Sequence, residues 1–161
     1  MESEIAHGRK PPFTRDDFIP IGAWALSPTL VVIPYDRPWK TLVDLIKDCK
    51  AKPGYYAFCS GGVFSSSHLP AEMFLRAAGI TARHVPYIAA APCLGSLVGG
   101  HVDFATQFPS TCIPLARGNK VRILAVQDDR RYKSLPDVLS VKELGIDAVF
   151  RMWQGILVPK K

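Results

Sequence analysis

Apolar residues recur along this chain in two rhythms, one helical and one extended, and their alternation predicts the fold class. Leu42, Leu45, Ile46 and Cys49 stand at i, i+3, i+4 and i+7, the spacing of a single helix face. The preceding Thr41-Leu42-Val43-Asp44 has the form of a capping box with Asp in place of Glu, and Pro53-Gly54 ends the segment. Leu69, Met73, Phe74 and Ala77 predict a second helix, stopped by Gly79. A third begins at Ala89-Ala90-Ala91-Pro92, with proline in its first turn and Cys93, Leu94, Leu97 and Val98 as its inner face, and Gly99-Gly100 closes it. A fourth, short helix is predicted over 109–117 and a turn with a short helix over 136–144. Between them lie apolar, β-branched runs of strand length at 18–25, 29–33, 55–59, 81–85, 101–106 and 121–126, followed by a last extended segment at 150–158. Strand and helix alternate through short connections. That order predicts an α/β fold, a mostly parallel sheet flanked by helices on both faces.

The 161 residues suffice for one hydrophobic core. Residues 1–12, with Glu2, Glu4 and then Gly8-Arg9-Lys10-Pro11-Pro12, read as a flexible arm. Residues 13–158 read as a single α/β domain and 159–161 as a tail. No apolar run approaches the roughly 18–20 residues of a membrane span. Residues 1–10 lack the apolar core of an export signal, so the chain as it stands reads as mature, truncated or cytoplasmic.

Charge changes this picture little. The net charge is +6 with a pI near 9.3, but Lys and Arg are scattered. The densest group, Arg130-Arg131-Tyr132-Lys133, follows Asp128-Asp129. Without a groove-reading motif this is a solvated face, and no nucleic-acid partner is expected. Cys49, Cys59, Cys93 and Cys112 form no C-x-x-C pair and have no histidine at metal-site spacing. Each sits in an apolar segment, so buried free thiols are expected, with no metal, no cofactor and no disulfide framework.

The stretch richest in chemistry is Phe58-Cys59-Ser60-Gly61-Gly62-Val63-Phe64-Ser65-Ser66-Ser67-His68-Leu69. A strand runs into a Gly/Ser turn that opens onto a helix. Backbone N–H groups left unpaired at the helix start, the helix dipole and the serine hydroxyls together suit an anion such as a carboxylate. A helix cap by Ser66 or Ser67 is the simpler reading of the same residues. The turn contains neither a P-loop lysine nor G-x-G-x-x-G. In a parallel α/β sheet, ligands sit beyond the carboxyl ends of the strands. The loops 60–67, 87–91 and 106–109 all reach that edge. A Cys59 nucleophile with His68 or His84 is a weaker alternative, because Cys59 ends an apolar strand and no acid is placed to orient either histidine.

Several separate stretches resemble one family. They are Asp17-Phe18-Ile19-Pro20-Ile21-Gly22, Ser60-Gly61-Gly62 with Ser65 to Leu69, His84-Val85-Pro86-Tyr87 with Ala91-Pro92, Gly99-Gly100-His101-Val102-Asp103, Val121 to Val126, and Leu135-Pro136-Asp137-Val138. In order and spacing the chain is similar to the periplasmic substrate-binding proteins of tripartite tricarboxylate transporters, the Bug receptors. The resemblance implies a periplasmic-binding-protein-like lobe, the second of two, with two crossing segments at 19–33 and 150–158. It implies a small organic carboxylate as ligand, a membrane permease as partner and a periplasmic location. It carries over as ligand-binding positions Ser60, Gly61, Ser65, Ser66, Ser67, Tyr87, Ala90, Ala91, Thr106 and Gln107. The chain departs from the family pattern at Val63-Phe64, where a second small residue is usual, at Ile88-Ala89, and at Gln107-Phe108. Exposed apolar residues on the crossing segments, Trp24, Leu30, Val32, Trp153 and Ile156, would favour a homodimer. An orphan lobe acting as a sensory or partner-binding module is the alternative function.

Overall fold

In the computed structural model, residues 8, 10 and 12–160 are described. Most of the expected arm over 1–12 lies outside them. Among the described residues seven strands form two sheets: β1 (Phe18–Pro28) and β7 (Arg151–Pro159) pair as an antiparallel ribbon, and five others form the main sheet. The main sheet is built of β2 (Leu30–Pro34), β3 (Ala57–Ser60), β4 (Arg83–Pro86), β5 (Phe104–Gln107) and β6 (Val121–Val126), in the order β4-β3-β5-β2-β6. Four helices connect them: α1 (Leu42–Ala51), α2 (Leu69–Ala78), α3 (Ala90–Val98) and α4 (Pro109–Arg117). Among the described residues no helix is long and apolar enough to cross a membrane.

Strand alternation divides the core into two layers. Val31, Ile33, Phe58 and Phe104 face α1 and α2, packing on Leu42, Leu45, Phe74 and Leu75. Their neighbours Leu30, Val32, Cys59 and Ala105 face α3 and α4, packing on Cys93, Leu94, Leu97 and Cys112. α1 has the box its sequence promises: the Asp44 N–H donates to Thr41 Oγ1 at 3.2 Å, and the Thr41 N–H to Asp44 Oδ2 at 2.8 Å. These bonds hold the Asp44 carboxyl below the usual carboxylate range.

Four structural details correct the sequence reading. First, β3 runs parallel to β4 and β5, but β2 is antiparallel to both β5 and β6, so the sheet is mixed. β2 enters from the ribbon at the edge where the other four strands end, and must therefore run against them. Secondly, the buried stripe of α2 is Pro70, Ala71, Phe74, Leu75 and Ala78, whereas Leu69 and Met73 are 43% and 40% exposed. Thirdly, 136–144 holds turns and no helix. Ser140 and Glu143 exchange cap-like bonds, but Gly145 at φ 72 reverses the chain at once, with the Ile146 N–H on the Val141 carbonyl. Fourthly, Leu30 and Val32 belong to the buried core of the main sheet, while Trp24, Trp153 and Ile156 on the ribbon are exposed.

The ribbon continues past the expected segments. Pro159 closes β7 and the Lys160 N–H donates to the Asp17 carbonyl at 2.7 Å. The register slips near Gly22 and Ala25. At Gly155 a Cβ would lie 2.7 Å from the Gly22 carbonyl oxygen, so only glycine permits that close approach of the two strands.

Candidate functional site

The carboxyl ends of β3, β4, β5 and β6 and the start of β2 share one edge, and there the chain builds a cluster of loops around Ser60. The Ser60 side chain is fully buried. Its Oγ accepts the Gly62 N–H at 3.2 Å, lies 2.9 Å from the Gly62 carbonyl, and is 2.7 Å from His84 Nε2. Seven residues on, Ser67 Oγ accepts the Gly61 N–H at 2.9 Å and touches Ser65 Oγ at 3.2 Å. Thr106, at the end of β5, donates its hydroxyl to the Ser67 carbonyl at 2.7 Å. The loop is thus held from within by buried hydroxyls.

Gly61 brings this loop onto a second one. A Cβ there would sit 3.0 Å from the Ala90 nitrogen and 3.2 Å from the Ala89 carbonyl carbon, so the backbones of the β3–α2 loop and the α3 N-terminus are in contact. Neither helix start is capped by a side chain: the residues in those positions are His68 and Ala89. The turn leading into α2 closes through the His68 and Leu69 N–H groups, both donating to the Ser65 carbonyl. Among the described residues the N–H groups of Ser66 and Ser67 have no acceptor. Backbone donors ahead of α2 and the uncapped start of α3 therefore share one edge of the sheet.

A disulfide joins β3 to α3 at the same place. Cys59 and Cys93, expected as free thiols, are bonded to each other with their Cα atoms 5.6 Å apart. One is the residue before Ser60 and the other is in the first turn of α3. Packing of α3 on β3 makes them neighbours across 34 residues of sequence. Gln107 Nε2 donates to Cys93 Sγ at 3.3 Å, tying the end of β5 to the same point. Cys49 and Cys112 are buried free thiols, and burial pushes them up to about 11 and about 12 respectively. With Cys59 in a disulfide, the proposed Cys–His nucleophile pair has no thiol.

Two histidines stand behind the loop. His68 and His84 stack with ring centroids 4.0 Å apart, beside the Phe58 ring. His68 Nδ1 accepts the Phe64 N–H at 3.0 Å and its Nε2 lies 3.4 Å from Glu72. Burial, and secondarily the neighbouring His68, hold the His84 imidazole down to about 4, so it is neutral near pH 7.

On the side facing the ribbon, Phe64, Ser66 and Leu69 form one wall of a cavity of about 1030 Å³, with Phe18, Met152, Trp153 and Leu157 among those opposite. Arg151 also lines it, with Nε on Asp128 at 2.9 Å and Nη2 bonded to both Asp128 and Asp129.

Known proteins resemble the chain over nearly its whole length. A model described as the tripartite tricarboxylate transporter family receptor matches residues 5–161. The chain belongs to this receptor family. It is 30% identical over 152 residues to a UPF0065 protein in the tcbD–tcbE intergenic region of Pseudomonas sp. (strain P51), covering 92% of this chain and 45% of that one. Among solved structures it is similar to a TctC solute-binding protein from Polaromonas without ligand (29% identity, TM-score 0.83, 98% of this chain and 54% of that one). It is also similar to R. palustris Rpa4515 with adipate (25% identity, TM-score 0.87, 94% and 52%). The chain spans about half the length of the relatives it matches.

Within this family receptor, the positions singled out from sequence fall into two groups. Gly61, Ser65 and Ser66 lie at the loop surface with Ala90 and Ala91 beside them, partly or fully exposed. Ser60, Ser67, Thr106 and Gln107 are buried, with side chains hydrogen-bonded inside the protein. Tyr87 donates its hydroxyl to Ser96 Oγ at 2.6 Å and packs partly against the core. Sequence reasoning missed the disulfide, the role of His84 behind Ser60, and Phe64 and Leu69 as cavity walls. The one available signal was Val63-Phe64, bulky residues inside a Gly/Ser-rich turn.

Proposed function

We propose that the chain is the lobe of a solute receptor that binds a small organic carboxylate at the loop 61–67 and the start of α3. Gly61, Ser65, Ser66, Ala90 and Ala91 would meet the anion. Ser60, Ser67, Thr106 and Gln107 would hold the loop in shape, and Tyr87 would brace α3. In a complete receptor the ligand would be delivered to the membrane permease of a tripartite tricarboxylate-type transporter. A periplasmic setting agrees with the Cys59–Cys93 disulfide, since such bonds persist in oxidising compartments.

The observation that carries this reading is the contact of Gly61 with the Ala90 nitrogen, which brings the β3–α2 loop against the uncapped start of α3 at the strand ends. Backbone donors there neutralise an anion without a lysine or arginine. A single lobe leaves one side of the ligand in water, so a dissociation constant around the millimolar range is expected, roughly −4 kcal/mol. Ligand at ten times that constant raises stability by about 1.4 kcal/mol, a melting shift of a few degrees at this size. A thermal-shift panel of mono-, di- and tricarboxylates tests it, with chloride and sulfate as controls. The selective shift should disappear in Ser65→Ala/Ser66→Ala. If that variant responds to every carboxylate as the parent does, the serines merely shape a helix start.

A further inference from the structure

The cavity beside the loop bears on which carboxylate the site takes. Phe64 stands in its wall. Its backbone lies in the left-handed region at φ 57, a conformation that bulky residues rarely adopt. It is held there by its N–H on His68 Nδ1 and by an edge contact of its ring with the His68 ring, 6.0 Å between centroids. So held, Phe64 lines the cavity together with Leu69, Met152, Trp153, Phe18 and Leu157. Leu69 is also one of the α2 residues outside the buried stripe: apolar, 43% exposed, and in the lining of this space. At about 1030 Å³ the cavity is at the top of the range of small-molecule sites, with room for a body of many carbon atoms.

The polar groups of the lining are few. Arg151 lines the cavity but already bonds Asp128 and Asp129, and Ser66 of the loop and Arg15 line it as well. The rest of the wall is apolar.

We propose that the site selects a carboxylate with an extended apolar body, aliphatic or aromatic, over short polar di- and tricarboxylates. The carboxylate lies at the 61–67 loop and the body lies along Phe64, Leu69 and Trp153. The inference rests on the carboxylate reading of that loop and adds the substrate class to it.

The test is a titration of the full 161-residue chain followed by Trp fluorescence and calorimetry, because Trp153 lines the cavity. The probes are acetate, butanoate, hexanoate, octanoate, benzoate, malate, citrate and hexan-1-ol. Burial of each added methylene should tighten binding about two- to four-fold. Octanoate should therefore bind at least about tenfold more tightly than butanoate, and hexanoate more tightly than malate, citrate or hexan-1-ol. Phe64→Gly relieves the left-handed backbone, so folding is not at risk, and it should flatten the dependence on chain length. If affinity is flat with length, or malate and citrate bind best, the apolar-body inference is overturned while the carboxylate site stands. Equal binding of hexan-1-ol and hexanoate, or no binding by any acid, overturns both.

Discussion

Gly61 and His84 show how single residues set this site. Gly61 permits the contact between the loop and the Ala90 nitrogen, and any side chain there must push the two apart. Gly61→Val is expected to weaken carboxylate binding at least about tenfold, as read by calorimetry, with near-native far-UV circular dichroism. His84 acts through pH. Its folded value near 4 lies below the roughly 6.5 of an unfolded histidine, so on acidification the unfolded chain takes up the proton first. The stability this neutral imidazole contributes is complete above about pH 6.5 and is lost as the pH falls toward 4. Urea midpoints measured from pH 7.5 to 4.5 should fall across that window, and His84→Asn should remove part of the fall. An identical profile in the variant would place the titration elsewhere. Residues of this kind are hard to see in sequence. The glycine is visible as a turn signal, but the histidine matters only because β4 lies beside β3 and sets His84 opposite Phe58 in the register.

Elements were legible where their signals were local. The Thr41–Asp44 box and the Leu42, Leu45, Cys49 stripe define α1 in sequence and in structure alike, because capping and burial act within a few residues. The α2 stripe was misplaced because Leu69 and Met73 are apolar at helical spacing while facing outward, and periodicity cannot separate a core face from an exposed apolar one. The strand–helix alternation pointed to parallel strands, yet could not register that β2 enters from the ribbon and runs the other way. The Cys59–Cys93 bond was equally out of reach, since it depends on which strand α3 covers. This bond makes its own prediction. It closes a loop of 34 residues between two elements of the site, and loop-closure entropy assigns such a link about 2–4 kcal/mol. Cys59→Ala/Cys93→Ala should lower the denaturation free energy by about that amount and weaken ligand binding by loosening α3 from the loop. A free thiol titre of four in the unreduced, denatured parent would show that the bond is not formed.

At the scale of the whole molecule, the main sheet is covered on both faces, but the β1–β7 ribbon is not. Ile21, Trp24, Leu26 and Trp153 are each more than half exposed, an apolar surface of the kind that seeks a partner. In isolation the chain is expected to self-associate through this ribbon. Light scattering at micromolar concentration checks it, and a clean monomer of 17.7 kDa throughout the range would count against it. Trp24→Lys/Trp153→Lys should restore the monomer, while the ligand loop on the main sheet keeps its fold. The central claim is that backbone donors of the β3–α2 loop and of the α3 start hold a carboxylate at the strand ends. Amide-resolved NMR on the 15N-labelled chain tests it most directly. On titration with hexanoate the amides of Gly61, Ser66, Ser67, Ala90 and Ala91 should shift together and saturate at one dissociation constant, and chloride or sulfate at equal ionic strength should not reproduce the pattern. Shifts confined to other surfaces, such as Tyr55 and Arg83 at the opposite edge of the sheet, or no saturating shifts into the tens of millimolar, would contradict the account.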